Sequence, residues 1–204
     1  MSTGWVEKEY RRRDAAGICE HCLTIGIDNC PQKVTRVVQR LLTGAELFDW
    51  MTPKARLYAG VALEEALLNA VIHGNLEVSS SLREADDDAF ERLIAIRQAD
   101  QRYSSRMVTV DMEASREQML WRIEDQGPGF NVSRLPDPRA EDRIGLQSGR
   151  GVLMMRTFMD EVSYNRRGNE VTMIKRRKSA PSDILDAIAD EFAAEPCELV
   201  LAGR

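Results

Sequence analysis

The chain has 204 residues, 43% of them hydrophobic and 30% charged, with a formal net charge of −5. That length suits one domain with a proper core, and the acidic balance creates no field that would gather nucleic acid. No apolar run approaches the roughly 18–20 residues needed to span a bilayer. The charged opening Met1–Arg13 also lacks the apolar stretch of a secretory leader. The expectation is a cytoplasmic protein with neither a membrane nor a direct nucleic-acid partner.

In chain order, Cys19–Ile27 reads as a first strand, closed by Asp28-Asn29-Cys30-Pro31. Cys19-Glu-His-Cys22 has zinc-like spacing, but a second ligand pair is missing. Neighbouring strand residues also point to opposite faces, so reduced thiols in and beside a strand are the simpler reading. Val34, Val37, Val38, Leu41 and Leu42 recur at helical spacing. Thr52-Pro53 then starts a second helix, with a cap residue before proline at the first helical position. It runs to about His73 and stops at Gly74-Asn75.

Residues 77–106 change character: the acidic run Asp86–Asp88 and a short helical pattern at Phe90, Leu93 and Ile94 suggest a partly helical, solvated insertion. Met107–Met112 and Gln118–Glu124 alternate as strands. A glycine-rich turn and a polar loop lead to a helix over Val152–Met159. Glu161–Asn165 and Glu170–Lys175 form a hairpin around Arg167-Gly168-Asn169, and Asp183–Ala194 is a last helical stretch. The expected division is an extension over 1–16, the domain over 17–178 and a helical tail over 179–204. Helices early and a strand meander late indicate an α+β, two-layer α/β sandwich rather than alternating βαβ units.

Three constellations carry chemistry. Glu65 and Asn69, four apart, share one face of an otherwise apolar helix. There a carboxylate and an amide cost free energy unless a hard cation or a reacting hydroxyl pairs with them. Asp125 stands at the end of a strand before Gly127-Pro128-Gly129, where it can accept from an exocyclic amine while the glycine backbone approaches a ring closely. Finally, Gly149-Arg-Gly151 runs into a helix N-terminus, which exposes amide donors to an anion. Each has a bland alternative: an exposed polar stripe, a tight turn, and a helix that merely begins after glycine.

The order and spacing of all three together resemble the N, G1 and G2 boxes of the Bergerat (GHKL) ATPases, and most closely the bacterial anti-sigma-factor serine/threonine kinases. The likeness is carried by Glu65-Ala-Leu-Leu-Asn69-Ala-Val-Ile-His73-Gly74-Asn75, Asp125-Gln-Gly127-Pro-Gly129-Phe130, Gly149-Arg-Gly151-Val-Leu-Met-Met, Asp160-Glu-Val-Ser-Tyr164 and Gly168-Asn-Glu-Val-Thr172-Met. It implies a mixed, mostly antiparallel sheet with helices on one face, and ATP and Mg²⁺ as cofactors. Glu65 would be the general base and Asn69 the magnesium ligand. Asp125 would accept from the adenine amino group, with Gly127 and Gly129 allowing close approach. Gly149 and Gly151 would close a lid on the phosphates, and Thr172 would support the adenine contact. His73 takes a local packing or hydrogen-bonding role.

The resemblance further implies a small anti-anti-sigma (STAS-type) protein as substrate, a sigma factor as client, and the homodimerisation common among such kinases. A non-phosphorylating module that sequesters its partner is the alternative, as is a switch kinase in a stress-signalling complex. A sensor histidine kinase would need a phospho-accepting histidine on an upstream helical hairpin, whereas His21 lies in a strand.

Overall fold

The computed structural model describes residues 5–13, 19–48, 50–134 and 150–177. Six strands form one sheet in the order β1-β2-β3-β4-β6-β5. They are β1 Trp5–Arg13, β2 Cys19–Ile27, β3 Val108–Ala114, β4 Gln118–Glu124, β5 Glu161–Tyr164 and β6 Glu170–Arg176. Every neighbouring pair is antiparallel. The helices are α1 Val34–Glu46, α2 Pro53–Leu68, α3 Ser80–Ala85, α4 Asp87–Ala99, α5 Gln101–Ser104 and α6 Arg150–Phe158.

Alternation along the strands separates the two faces of the sheet. Leu23, Ile25 and Ile27 of β2, Val110 and Met112 of β3, Trp121 and Ile123 of β4, and Val171 and Met173 of β6 are buried. They join one core with Val37 and Leu41 of α1, Leu63 and Leu67 of α2, and Met155 of α6. The result is the expected two-layer α+β architecture. Among the described residues no helix is long and apolar enough to cross a membrane.

The charged opening of the chain is a strand. β1 pairs along its length with β2. Its charges serve that position: Arg40 of α1 donates to Glu7 at 2.6 Å and to Glu9 at 2.7 Å, and Val6 on the alternate face is 72% exposed. An edge strand rich in charge carries little hydrophobic periodicity, which is why the pattern hid it.

Segment 77–106 also differs from the solvated insertion expected. Phe90 and Ile94 of α4 are 2% and 6% exposed and belong to the core. Asp86 caps α4 by accepting from Ala89 N at 2.9 Å. The segment's far end is fixed by Asn29, whose Nδ2 donates to Tyr103 O at 2.6 Å and Arg106 O at 3.2 Å. Gln98 Nε2 in turn donates to Asn29 O at 2.7 Å. Of the thiols, Cys22 is buried in β2 and Cys30 is half-buried just beyond it. His21 lies 3.4 Å from Glu9, and no metal-ligand cluster exists among the described residues. Residues 183–194, the expected last helix, lie outside the described residues, as does Gly149.

Candidate nucleotide site

α2 begins as its sequence dictates, with Thr52 Oγ1 accepting from Ala55 N at 3.2 Å and Pro53 in the first turn. Its apolar side is buried through Ala59, Ala62, Leu63, Ala66 and Leu67. The helix does not stop at Gly74 by a glycine cap. It widens over Asn69–Asn75 into a π-helical turn, in which Leu76 N donates to Val71 O at 2.9 Å. Such turns are energetically poor and recur at functional sites. The open carbonyls at its end receive arginines from the neighbouring segment: Arg106 Nη1 donates to Asn75 O at 2.8 Å and Arg97 Nη1 to Leu76 O at 2.6 Å. Cations there suit the negative end of the helix.

The widened turn brings Gly74 against Asp125. A Cβ on Gly74 would collide with the Asp125 carboxylate, and one on Gly127 would collide with Gly74 O. Gly74 is therefore needed for close approach and not for a left-handed backbone. Asn75, fully buried, holds the same junction: its Oδ1 accepts from Gln126 N at 2.7 Å and its Nδ2 donates to Asn29 Oδ1 at 2.8 Å. The turn after β4 is locked from the other side by a pair of glycines with positive φ, Gly129 (76°) and Gly168 (77°). A side chain on the first would strike Arg167 O, and on the second Phe130 O. Arg167 Nη2 adds a hydrogen bond to Gly127 O at 2.9 Å.

Asp125 is 8% exposed. Its Oδ1 accepts from Gly127 N at 2.8 Å, while no hydrogen bond from the described residues reaches Oδ2. Burial pushes its pKa up to about 6, against the pull of the Gly127 N–H and the Arg167 charge. Its backbone is fixed by Asn169: Asp125 N donates to Asn169 O at 2.9 Å, and Asn169 Nδ2 donates to Asp125 O at 2.7 Å.

Asp125 lines a cavity of about 330 Å³ together with Asn69, His73, Phe130, Tyr164, Asn169 and Val171. That is the size range of small-molecule sites. Phe130 meets Tyr164 edge to face, with ring centroids 5.3 Å apart, and burial raises the Tyr164 pKa to about 12. Asn69 lines the cavity with a side-chain amide that bonds to nothing among the described residues. His73 donates through Nδ1 to Val78 O, a local role as expected.

Glu65 adjoins the Asn69 end. A Cβ on Gly151 would stand 2.5 Å from Glu65 Oε2 and 3.6 Å from Asn69 Nδ2, so the start of α6 lies over both residues. Burial and the neighbouring Glu64 raise the Glu65 pKa, while Arg83 and His73 oppose the rise.

Of the residues read from the sequence, Glu65, Asn69, Asp125, Gly127, Gly129 and Gly151 are thus gathered at one place. Thr172 is not. It pairs in register with Ser163 and Arg122, on the face opposite its buried neighbours Val171 and Met173. Val171 and Asn169 line the cavity instead. Asn169 stands in the same motif, and period-2 alternation counted from Val171 turns Thr172 to the other face.

Residues 30–175 match the family described as histidine kinase-like ATPase domain. The chain belongs to that family. No curated protein matches it. Within this ATPase domain, the cavity sets the carboxylate acceptor of Asp125 and the side-chain amide of Asn69 around one space of small-molecule size.

Proposed function

We propose that the chain is an ATP-dependent serine/threonine protein kinase of the anti-sigma type, whose substrate is a small STAS-type antagonist and whose client is a sigma factor. The observation that carries this reading is the placing of two carboxylates on either side of Asn69. Asp125 is buried in the nucleobase end of the cavity, and Glu65 stands beside the start of α6 with no hydrogen bond from the described residues.

Magnesium fits the amide of Asn69, which has no partner among the described residues: it prefers oxygen ligands, keeps several waters and is usually completed by substrate phosphates. Bound there, it would neutralise charge on the triphosphate. The remaining work belongs to the chain. Asp125 fixes the adenine amine, and the N-terminus of α6 presents amides to the phosphates. Glu65 takes the proton of the acceptor hydroxyl as that oxygen bonds to the terminal phosphorus and the bond to the ADP oxygen breaks, giving phosphoserine or phosphothreonine and ADP. The raised pKa of Glu65 suits a base.

The test pairs a thermal melt with a transfer assay. Mg-ATP at 100 times its dissociation constant should stabilise the protein by about 2.7 kcal/mol, and Asp125→Ala should abolish the shift. Glu65→Ala should keep the shift and lose transfer to a STAS-domain protein. Binding without transfer in the wild type would favour the sequestering module, and normal transfer by Glu65→Ala would remove Glu65 as the base.

A further inference from the structure

His73 and Ser80 both line the cavity, the second from the start of α3 in segment 77–106. The His73 ring is held through Nδ1, which meets the carbonyl oxygen of Val78, two residues before Ser80. A carbonyl can only accept, so Nδ1 carries the ring's proton and Nε2 of the neutral imidazole is left as an acceptor. No hydrogen bond from the described residues reaches Nε2 or the Ser80 hydroxyl. One contact thus sets the tautomer and ties the chain entering α3 to the widened turn.

The place of His73 along the cavity follows from its neighbours. Asn69 lies one turn before it, about 6 Å along the helix axis, at the end where Gly151 of α6 approaches. Gly74, the next residue, packs against the Asp125 carboxylate. His73 therefore stands between the end that would take phosphates and the end that would take the base, where a nucleotide carries its sugar. The chemistry agrees. ATP has hydrogen-bond donors at two places only, the exocyclic amine and the ribose hydroxyls, and its ionised phosphates only accept. With Asp125 answering the amine, the acceptor on His73 is left for a ribose hydroxyl. The Ser80 hydroxyl, which both donates and accepts, suits the other.

We propose that His73 Nε2 and Ser80 Oγ form a ribose clamp, each binding one sugar hydroxyl, with segment 77–106 supplying half of it. This rests on the nucleotide reading above, and it makes the site selective for ribonucleotides.

Calorimetric titration of the full chain with Mg-ATP, Mg-2′-deoxy-ATP and Mg-3′-deoxy-ATP tests it. The wild type should bind ATP about tenfold more tightly than either deoxy form, because each leaves one polar group without its partner. His73→Asn keeps a donor for Val78 O but removes the ring acceptor, and should bring the preference over one deoxy form below about twofold. Ser80→Ala should do so for the other. Should His73→Asn fail to fold, Ser80→Ala carries the comparison by itself. Equal binding of all three nucleotides by the wild type would overturn the clamp. So would a variant that keeps both preferences or weakens all three nucleotides alike. A wild type that binds none of them would overturn the nucleotide reading itself, an outcome distinct from failure of the clamp.

Discussion

Gly151 of α6 is in van der Waals contact range of the Glu65 carboxylate, with room for a hydrogen and none for a methyl. The obstructing atom is the tip of a flexible side chain, so the fold can yield cheaply. Alanine also gains about 0.5–1 kcal/mol of helix propensity over glycine. Gly151→Ala should therefore leave the melting midpoint nearly unchanged while pushing the carboxylate aside. A misplacement of that order costs about 100-fold in rate. Steady-state transfer assays beside a thermal melt check both halves, and a loss of stability matching the loss of activity would contradict this account.

The burial of Asp125 predicts that stability and nucleotide binding respond to pH in opposite senses. Its folded pKa, about 6, lies above the ordinary 3.8. Its contribution to stability is therefore fully present below about pH 4 and lost as pH rises through 6, on the order of 3 kcal/mol. Asp125→Asn should raise the melting midpoint at pH 7.5 and do little at pH 4. On the proposed reading, in which Asp125 accepts from the adenine amine, ATP affinity in the wild type should fall as pH drops below about 6, because a protonated carboxyl is the weaker acceptor. Identical melts for the two proteins at pH 7.5 would show that burial of this carboxylate carries no cost.

Asn75→Ala would strand two buried partners, Asn29 Oδ1 and Gln126 N. Each unsatisfied group costs about 1–3 kcal/mol. Urea midpoints should drop accordingly, and Asn75→Asp should do no better, since it sets an acceptor against the Asn29 carbonyl oxygen.

Phe90→Ala tests whether segment 77–106 is part of the domain. Emptying so deep a site should cost about 3–5 kcal/mol. A change near zero in denaturant unfolding would return the segment to the status of a solvated appendage.

Most of the frame was legible in the sequence because its signals are local. Thr52-Pro53 starts α2, alternation marks β3 and β4, and Gly168 turns the last hairpin. Glu65, Asn69 and Asp125 were legible because polar groups in apolar helices and at strand ends stand out. The rest depended on distant pairing. β1 is held by Arg40, far along the chain, and Asn29 becomes a fixed point through the distant Asn75, Gln98, Tyr103 and Arg106. The role of Gly74 follows from a π-helical turn whose hydrogen bonds no hydrophobic period encodes.

That widened turn makes segment length a constraint distinct from residue identity. Its five-residue closure, Leu76 to Val71, accommodates one residue more than a regular helical turn. Removing any single residue between Asn69 and Gly74 would let the helix close normally and rotate everything beyond by about 100°. Gly74 would leave Asp125 and Asn75 would leave Gln126, even with every named side chain still present. Evolution along this stretch should therefore proceed by substitution, and single-residue deletions should be lost from any library selected for nucleotide binding.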